Sequence, residues 1–434
     1  MNRRLTVLTT WGRRPEAWGG TLLSAPMIPP RRRVVAALAV TAALAVTMVL
    51  AGCGTSKATW RPVPSAVAAS TRPSASVSAS ASAASTLDLL PGMPPPLRDD
   101  DVYAAAGPNM FSPAVAGARE LVYVPNSVSG TVSVIDPKTF KVIDTFPGGN
   151  EPQHVIPSYD MKTLYVVADK PCCGSLIPID PTTGKPGPPV NVADPYNMYF
   201  TPDGRYAVVM AEYFKRMDFY DPVTWQVVDR LSVPNCSGLN HLDFTADGKL
   251  ALVACEFANR VVVVDIATRK VIREFPLKQH PNGMPQDTRL TPDGKQFYVA
   301  DMQASGIYVF DGTASRYITF IPTGAGAHGV YFSRDSKRAF ITNRGEGSIT
   351  VMDPSTNAIL AKWQIPGGGS PDMGAVSPDG SQLWLSGRYH GVVYVLSTVD
   401  GALLAKIPVG SGPHGLTYWP QPGRYSLGHT SNLR

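Results

Sequence analysis

Residues 123–146 read YVPNSVSGTVSVIDPKTFKVIDTF, and residues 340–363 read FITNRGEGSITVMDPSTNAILAKW. Each is an apolar strand, a polar turn, a second apolar strand ending in Asp, a turn opened by Pro, and a third strand. Short apolar runs separated by Gly, Pro, Asn and Asp are what strands joined by tight turns require. The apolar strand ending in Asp recurs as VSVID at Asp136, LIPID at Asp180, MDFYD at Asp221, VVVVD at Asp265, IYVFD at Asp311 and ITVMD at Asp353, with VVYVLS at Ser397 as a seventh.

A second marker runs in step with the first. Asp-Gly or an equivalent turn falls at Asp160, Asp203, Asp247, Asp293, Asp335 and Asp379, at spacings of 43, 44, 46, 42 and 44 residues. A period of this size with several short strands per unit points to propeller blades. Each unit reads as four strands, the innermost of the type HLDFTADG, residues 241–248. The expected fold is therefore all-β, a seven-bladed propeller of four-stranded blades. The first unit, LVYVPN from residue 121, lacks an inner strand, and the last inner strand, HGLTYWP from residue 414, lacks the other three. Pairing of that C-terminal strand with the N-terminal blade would close the ring and remove open sheet edges.

The two quoted stretches resemble the YVTN-repeat family of seven-bladed β-propellers, of the YncE-like kind. The resemblance covers residues of about 110–420 and implies the fold. It implies little about activity, because that family serves surface, periplasmic and binding roles. Propeller lactonases and the haem-binding propeller of nitrite reductase are fold relatives, and the former resemblance implies a Ca²⁺ held by oxygens, a role that Asn197, Glu256, Asp287 and Asp372 would imitate.

The ends of the chain read differently. Arg31-Arg32-Arg33 precede an uncharged run from Val34 to Leu50, followed by Leu50-Ala51-Gly52-Cys53. A basic segment, an apolar run and small residues before a cut define an export signal over residues 1–52, with Met27 as an alternative start. The cysteine at the cut resembles the lipobox of bacterial lipoproteins, which implies lipidation of Cys53 and anchoring to the outer face of the bacterial cytoplasmic membrane. Residues 53–96 are rich in Ser, Ala, Thr and Pro, as a solvated linker with a coil span of roughly 35 Å would be. The propeller is expected over residues 97–420 and a C-terminal tail over 421–434. Removing residues 1–52 leaves 32 basic and 32 acidic residues, so the net charge of +6 belongs to the signal. Balanced charge argues against a nucleic-acid partner. A monomer is expected.

The repeat aligns the starts of the inner strands, which line the central channel of a propeller. They carry Gln153-His154, Tyr196-Asn197, Asn240-His241, Gln286-Asp287, His328-Gly329, Asp372-Met373 and His414-Gly415, so four of the seven histidines ring one mouth of the channel. Two readings stand. A narrow wet channel needs polar lining, or the mouth binds a ligand. His154, Asn197, His241, Asp287, His328, Asp372 and His414 are the candidate ligand-binding residues, with Glu256, Arg344 and Arg388 from strand ends on the same face. Asp301 and Asn343 read as strand-finishing residues. Imidazoles beside carboxylates suit a divalent transition ion, for which His241, His328 and Asp287 are the candidates, although opposite sides of a seven-blade mouth are far apart. The ligand reading covers a small molecule, a cell-wall component or a protein, bound without catalysis. The alternative is a metal-dependent hydrolase or oxidoreductase using the same ring. No GxSxG, P-loop, HExxH or CxxCH motif is present. Four cysteines follow Cys53. Cys236 and Cys255 flank one inner strand at the same end and suit a disulfide. Cys172-Cys173 suit either a vicinal disulfide or free thiols.

Overall fold

The computed structural model describes residues 85–429 and 432–434. The expected signal segment and Cys53 lie outside the described residues. Seven antiparallel sheets follow one another, almost free of helix. Blade 2 runs through Pro152–Pro157, Leu164–Ala168 and Ser175–Asp180, and blade 3 through Pro195–Phe200, Ala207–Ala211, Arg216–Tyr220 and Val227–Ser232. Blade 4 comprises Leu239–Phe244, Leu250–Cys255, Arg260–Asp265 and Lys270–Pro276. Blade 5 begins with Pro285–Leu290, blade 6 with Ala327–Phe332 and blade 7 with Pro371–Val376, each continued by three more strands. Blade 1 is drawn from both ends of the chain: Thr417–Trp419 pairs with Leu121–Asn126, Leu121 opposite Trp419, followed by Thr131–Asp136 and Lys141–Pro147. The architecture is an all-β seven-bladed propeller.

Burial explains the sequence pattern. The inner three strands of a blade are covered on both faces by neighbouring blades, so Val261, Val262, Val263 and Val264 are all fully buried. The outermost strand faces water on one side, and Lys270–Pro276 is largely exposed. In blade 2 that outer strand is split into Lys185–Pro186 and Val190–Asn191, because the prolines between them supply no ladder donor.

The recurring Asp-Gly is a turn with a physical requirement. The Asp247 carboxylate accepts the Lys249 amide at 3.0 Å, and Gly248 adopts φ +73°. Asp293 repeats this with the Lys295 amide at 3.1 Å, and Gly294 at φ +70°. Glycine enters the left-handed region without a Cβ penalty.

Both terminal segments pack on the face carrying these turns. The Leu90 amide donates to Asp247 O at 2.8 Å, Val102 to Pro292 O at 2.8 Å and Asn109 to Pro378 O at 2.9 Å. Leu90 is buried in the core of blades 3 and 4, so the last residues assigned to the solvated linker belong to the folded body. The segment after Pro420 is likewise no loose tail: Gln421, Tyr425, Leu427, His429 and Leu433 are buried. Phe200 N donates to Leu427 O at 3.0 Å, and His429 N to Met198 O at 3.1 Å. The apolar side chains Tyr425, Leu427 and Leu433 drive this docking.

Cys236 and Cys255 form a disulfide, with Cα atoms 4.8 Å apart. Cys172 and Cys173 are exposed free thiols.

Candidate functional site

The inner strands do not start as regular ladders. Pairing with the next strand shifts register between Pro152 and His154, Leu239 and Leu242, Pro285 and Thr288, Ala327 and Val330, and Pro371 and Gly374. A bulge re-aims side chains. Here it lets His154, His241 and Asp287, six residues before their turns, share the channel with His328 and Asp372, seven residues before theirs.

The channel is narrower at this layer than the expected mouth. The His154 ring centroid lies 5.4 Å from that of His241 and 4.8 Å from that of His414. A fifth imidazole fills the middle. His429, from the C-terminal segment, stands 5.0 Å from His241 and 5.5 Å from His154. None of these residues is more than 2% exposed. The C-terminal segment thus supplies one more ring between His154 and His241, while His241 and His328 fall in separate groups.

Two groups of potential ligands form among the described residues: His154, His241 and His429, and His328, Asp372 and His414, with ligand atoms within 4.8 Å of one another in each. The expected set of His241, His328 and Asp287 is divided. His241 belongs to the first group and His328 to the second, while Asp287 faces His429, its Oδ1 3.4 Å from Nε2. Nor do Asn197, Glu256, Asp287 and Asp372 gather into an oxygen cage. Asn197 serves two imidazoles, and Glu256 accepts from Asn240 Nδ2 at 3.2 Å.

The rings of the first group are tied down through Nδ1. His154 Nδ1 lies 3.0 Å from Tyr196 O. A carbonyl only accepts, so Nδ1 carries the proton and Nε2 a lone pair. The Asn197 side-chain Nδ2 reaches Nδ1 of both His241, at 3.0 Å, and His429, at 3.2 Å. Nε2 of His154 and His241 has no hydrogen-bond partner among the described residues, and His429 Nε2 meets only the Asp287 carboxylate, 3.4 Å away. Burial pushes all three imidazoles well below their usual range, and the neighbouring imidazole of His429 adds to this at His154 and His241. This favours the neutral form of all three rings.

The second group is a charge network. The Asp372 carboxylate lies 2.9 Å from His328 Nδ1, 3.7 Å from His414 Nε2 and 3.5 Å from Arg344 Nη1. Burial alone would raise this carboxyl, but His328, Arg344 and His414 together hold it well below the usual carboxylate range. Arg344 also stacks 5.2 Å over the Tyr389 ring. Arg388 braces blade 7 against blade 1, its Nη1 donating to Ser127 Oγ at 3.1 Å. At the mouth, Tyr196 touches the edges of His154 and His241, and burial raises the Glu256 carboxyl. Asp301 and Asn343 finish their strands as expected, Asp301 accepting the amides of Met284 and Ala304.

Sequence reasoning missed His429 and Asp243. The latter anchors the C-terminal segment, accepting from Asn432 Nδ2 at 2.8 Å and Arg434 Nη2 at 3.1 Å. One signal was present: His154, His241 and His328 are 87 residues apart, one per two blades. Nothing in the local sequence places His429.

No curated protein matches the sequence. Among solved structures, the periplasmic gluconolactonase PpgL of Pseudomonas aeruginosa is similar at 17% identity and TM-score 0.57, over 70% of this chain and 99% of that one. A putative 6-phosphogluconolactonase from Bacteroides uniformis is similar at 17% identity and TM-score 0.55, over 69% of this chain and 99% of that one. The dihydro-heme d1 dehydrogenase NirN is similar at 16% identity and TM-score 0.52, over 75% of this chain and 79% of that one. At such identities the likeness is one of fold. The family model of the YNCE-like beta-propeller matches residues 101–231 and 280–422. With the seven blades and their repeat in place, the chain belongs to the YNCE-like beta-propeller family.

Proposed function

We propose that this chain is an exported, membrane-tethered binding protein whose ligand sits in the histidine-lined layer of the channel. One observation carries the reading. His154 Nε2, His241 Nε2 and His414 Nδ1 are buried without hydrogen-bond partners among the described residues, and His429 Nε2 and Asp287 Oδ1 meet only each other, at 3.4 Å. Each such atom costs about 1–3 kcal/mol, and folded proteins satisfy the great majority of them. A ligand supplying the missing partners offsets that cost. The tether rests on the basic segment, apolar run and LAGC at residues 50–53, and the protein would stand on the outer face of the cytoplasmic membrane. The balanced charge of the exported chain favours no nucleic-acid partner.

The test is native mass spectrometry of the untagged protein extracted from its own membrane without dialysis. A bound mass beyond polypeptide and lipid, lost in His154→Ala, is the expected result. No bound mass would return the layer to hydrated lining. For the tether, Cys53→Ser should release the protein from the membrane fraction.

A hydrolase is the second reading, favoured by one feature: Glu256, with its carboxyl raised by burial, stands at the mouth of the same channel. It requires lactone hydrolysis that Glu256→Gln abolishes while leaving the bound species in place.

A further inference from the structure

We infer that the channel holds a single late first-row transition-metal ion, of the zinc or copper class, on Nε2 of His154, His241 and His429. This rests on the binding reading above and names its ligand. The three rings come from blade 2, blade 4 and the C-terminal segment, and one nitrogen of each lies within 4.8 Å of one nitrogen of the other two. Nε2 of His154 and His241 has no hydrogen-bond partner among the described residues, and His429 Nε2 meets only the Asp287 carboxylate, 3.4 Å away. Ligands about 2.0–2.1 Å from one ion stand roughly 3.4 Å apart, so the three rings draw closer together when the ion binds. Three neutral imidazoles match zinc or copper and give no hold to Ca²⁺ or Mg²⁺, which need oxygen.

The other candidate group does not compete. Asp372 is already compensated by Arg344 and His328, and a second dication would sit against the Arg344 guanidinium. Among the described residues no ion pair joins the first group to a cation, and the Arg289 charge acts on His429 without a direct contact.

The outer contacts of the three rings are those of a metal site. Ligating histidines are oriented through their second nitrogen. His154 is fixed by the Tyr196 carbonyl, while His241 and His429 share one side chain, Asn197. In the structure Asn197 presents Nδ2 to both, which places their protons on Nε2. Turned over, the amide presents Oδ1, takes both Nδ1 protons and leaves both Nε2 atoms for the ion. That turn gives up the bond from Met198 N to Oδ1, 2.9 Å long, and the one from Nδ2 to Tyr199 Oη, 3.2 Å long. Asn197 is therefore a positioning residue for the ion.

Two of the three histidines lie outside the segments that the family model matches. His241 lies in residues 232–279, between the two matched segments, and His429 lies beyond the second.

The experiment uses the full, untagged, lipidated chain in detergent, stripped with a chelator and titrated with Zn²⁺ or Cu⁺ alone. Bound metal is counted by elemental analysis, and any other ligand by native mass spectrometry before stripping. The expected result is one ion per chain and no response to Ca²⁺. His429→Ala should weaken binding by at least tenfold, and His328→Ala should leave the count at one. The isosteric Asn197→Asp, an acceptor in either orientation, should tighten binding, and Asn197→Leu should weaken it 10- to 100-fold. A purely structural Asn197 predicts that both variants lose stability with no opposed effect on the metal. Circular dichroism of each stripped variant separates loss of the ion from loss of the fold. A metal-free protein carrying an organic species overturns the ion and leaves the binding reading standing. A protein with neither overturns both. Metal that His328→Ala removes and His429→Ala does not overturns the assignment.

Discussion

Asp243, in the inner strand of blade 4, and Arg434, 191 residues later, form a buried ion pair of 3.1 Å at the foot of the channel. The Arg434 guanidinium also lies 4.3 Å over the ring of Tyr103, whose segment reaches the same place from the other end of the chain. Both terminal segments are thus tied to one carboxylate.

Asp243→Ala should therefore cost more than Arg434→Met. The first leaves a buried guanidinium unpaired and strands Asn432 Nδ2 and the Leu290 amide, which donates to Asp243 Oδ2 at 2.8 Å. Breaking a buried pair in this way costs about 3–5 kcal/mol. The second leaves Asp243 its other donors. Urea midpoints of the two variants measure the order, and equal losses would show that the carboxylate is no hub.

Asp372 predicts an acid limb of stability. Its carboxyl is held well below the usual range in the folded protein by His328, Arg344 and His414 against the opposing effect of burial. A depressed folded pKa contributes stability above the unfolded value, about 3.9, that is lost as pH falls through the folded one. Asp372→Asn should thus be strongly destabilising near neutral pH. Its deficit relative to the parent should shrink as the solution is acidified below about pH 4. Melting curves from pH 7 to pH 3 measure the difference; a gap constant with pH would contradict it.

The cysteines divide by chemistry. In the folded protein two thiols, Cys172 and Cys173, should react with a mass-tagging maleimide, and Cys236 and Cys255 should react only after reduction in denaturant. The bond spans 19 positions of sequence, so Cys236→Ser should cost about 3 kcal/mol. With Cys53 capped by lipid as proposed, tag counts of two and then four by mass spectrometry are the expected values.

Gly248 tests the turn on which the repeat is built. Its φ of +73° disfavours any other residue, and an added Cβ would fall 2.5 Å from Met93 Sδ and 2.9 Å from Pro202 Cβ. Gly248→Ala should destabilise by about 1–3 kcal/mol. Gly367→Ala is the control: its φ is +77° with nothing within 4 Å, so it carries the backbone strain alone and should cost less. The difference in melting temperature isolates the packing of Met93.

The seven blades were legible because their signals are local. Asp247 and Gly248 specify a turn through their own backbone, and the valines of 261–264 specify a strand covered on both faces. Repetition of such signals every 42 to 46 residues sets the architecture. The inward histidines followed from the same alignment, since a residue's place in the repeat fixes its place on the channel.

What the repeat cannot encode is how deep into the channel each side chain reaches, and what meets it there. His429 lies in a segment outside the repeat, and only the docking of Leu427 and Leu433 carries it between His154 and His241. The grouping of His241 with His429 rather than with His328 was decided in the same way, by the bulges and by the Asn197 amide the two rings share. Apart from blade 1, whose inner strand comes from the other end of the chain, each blade depends on hydrogen bonds and turns within about 45 residues of sequence, so the sequence determined it alone. The chemical site depends on contacts between residues more than 180 positions apart, which exist only once the tertiary structure has brought the ends of the chain into the channel.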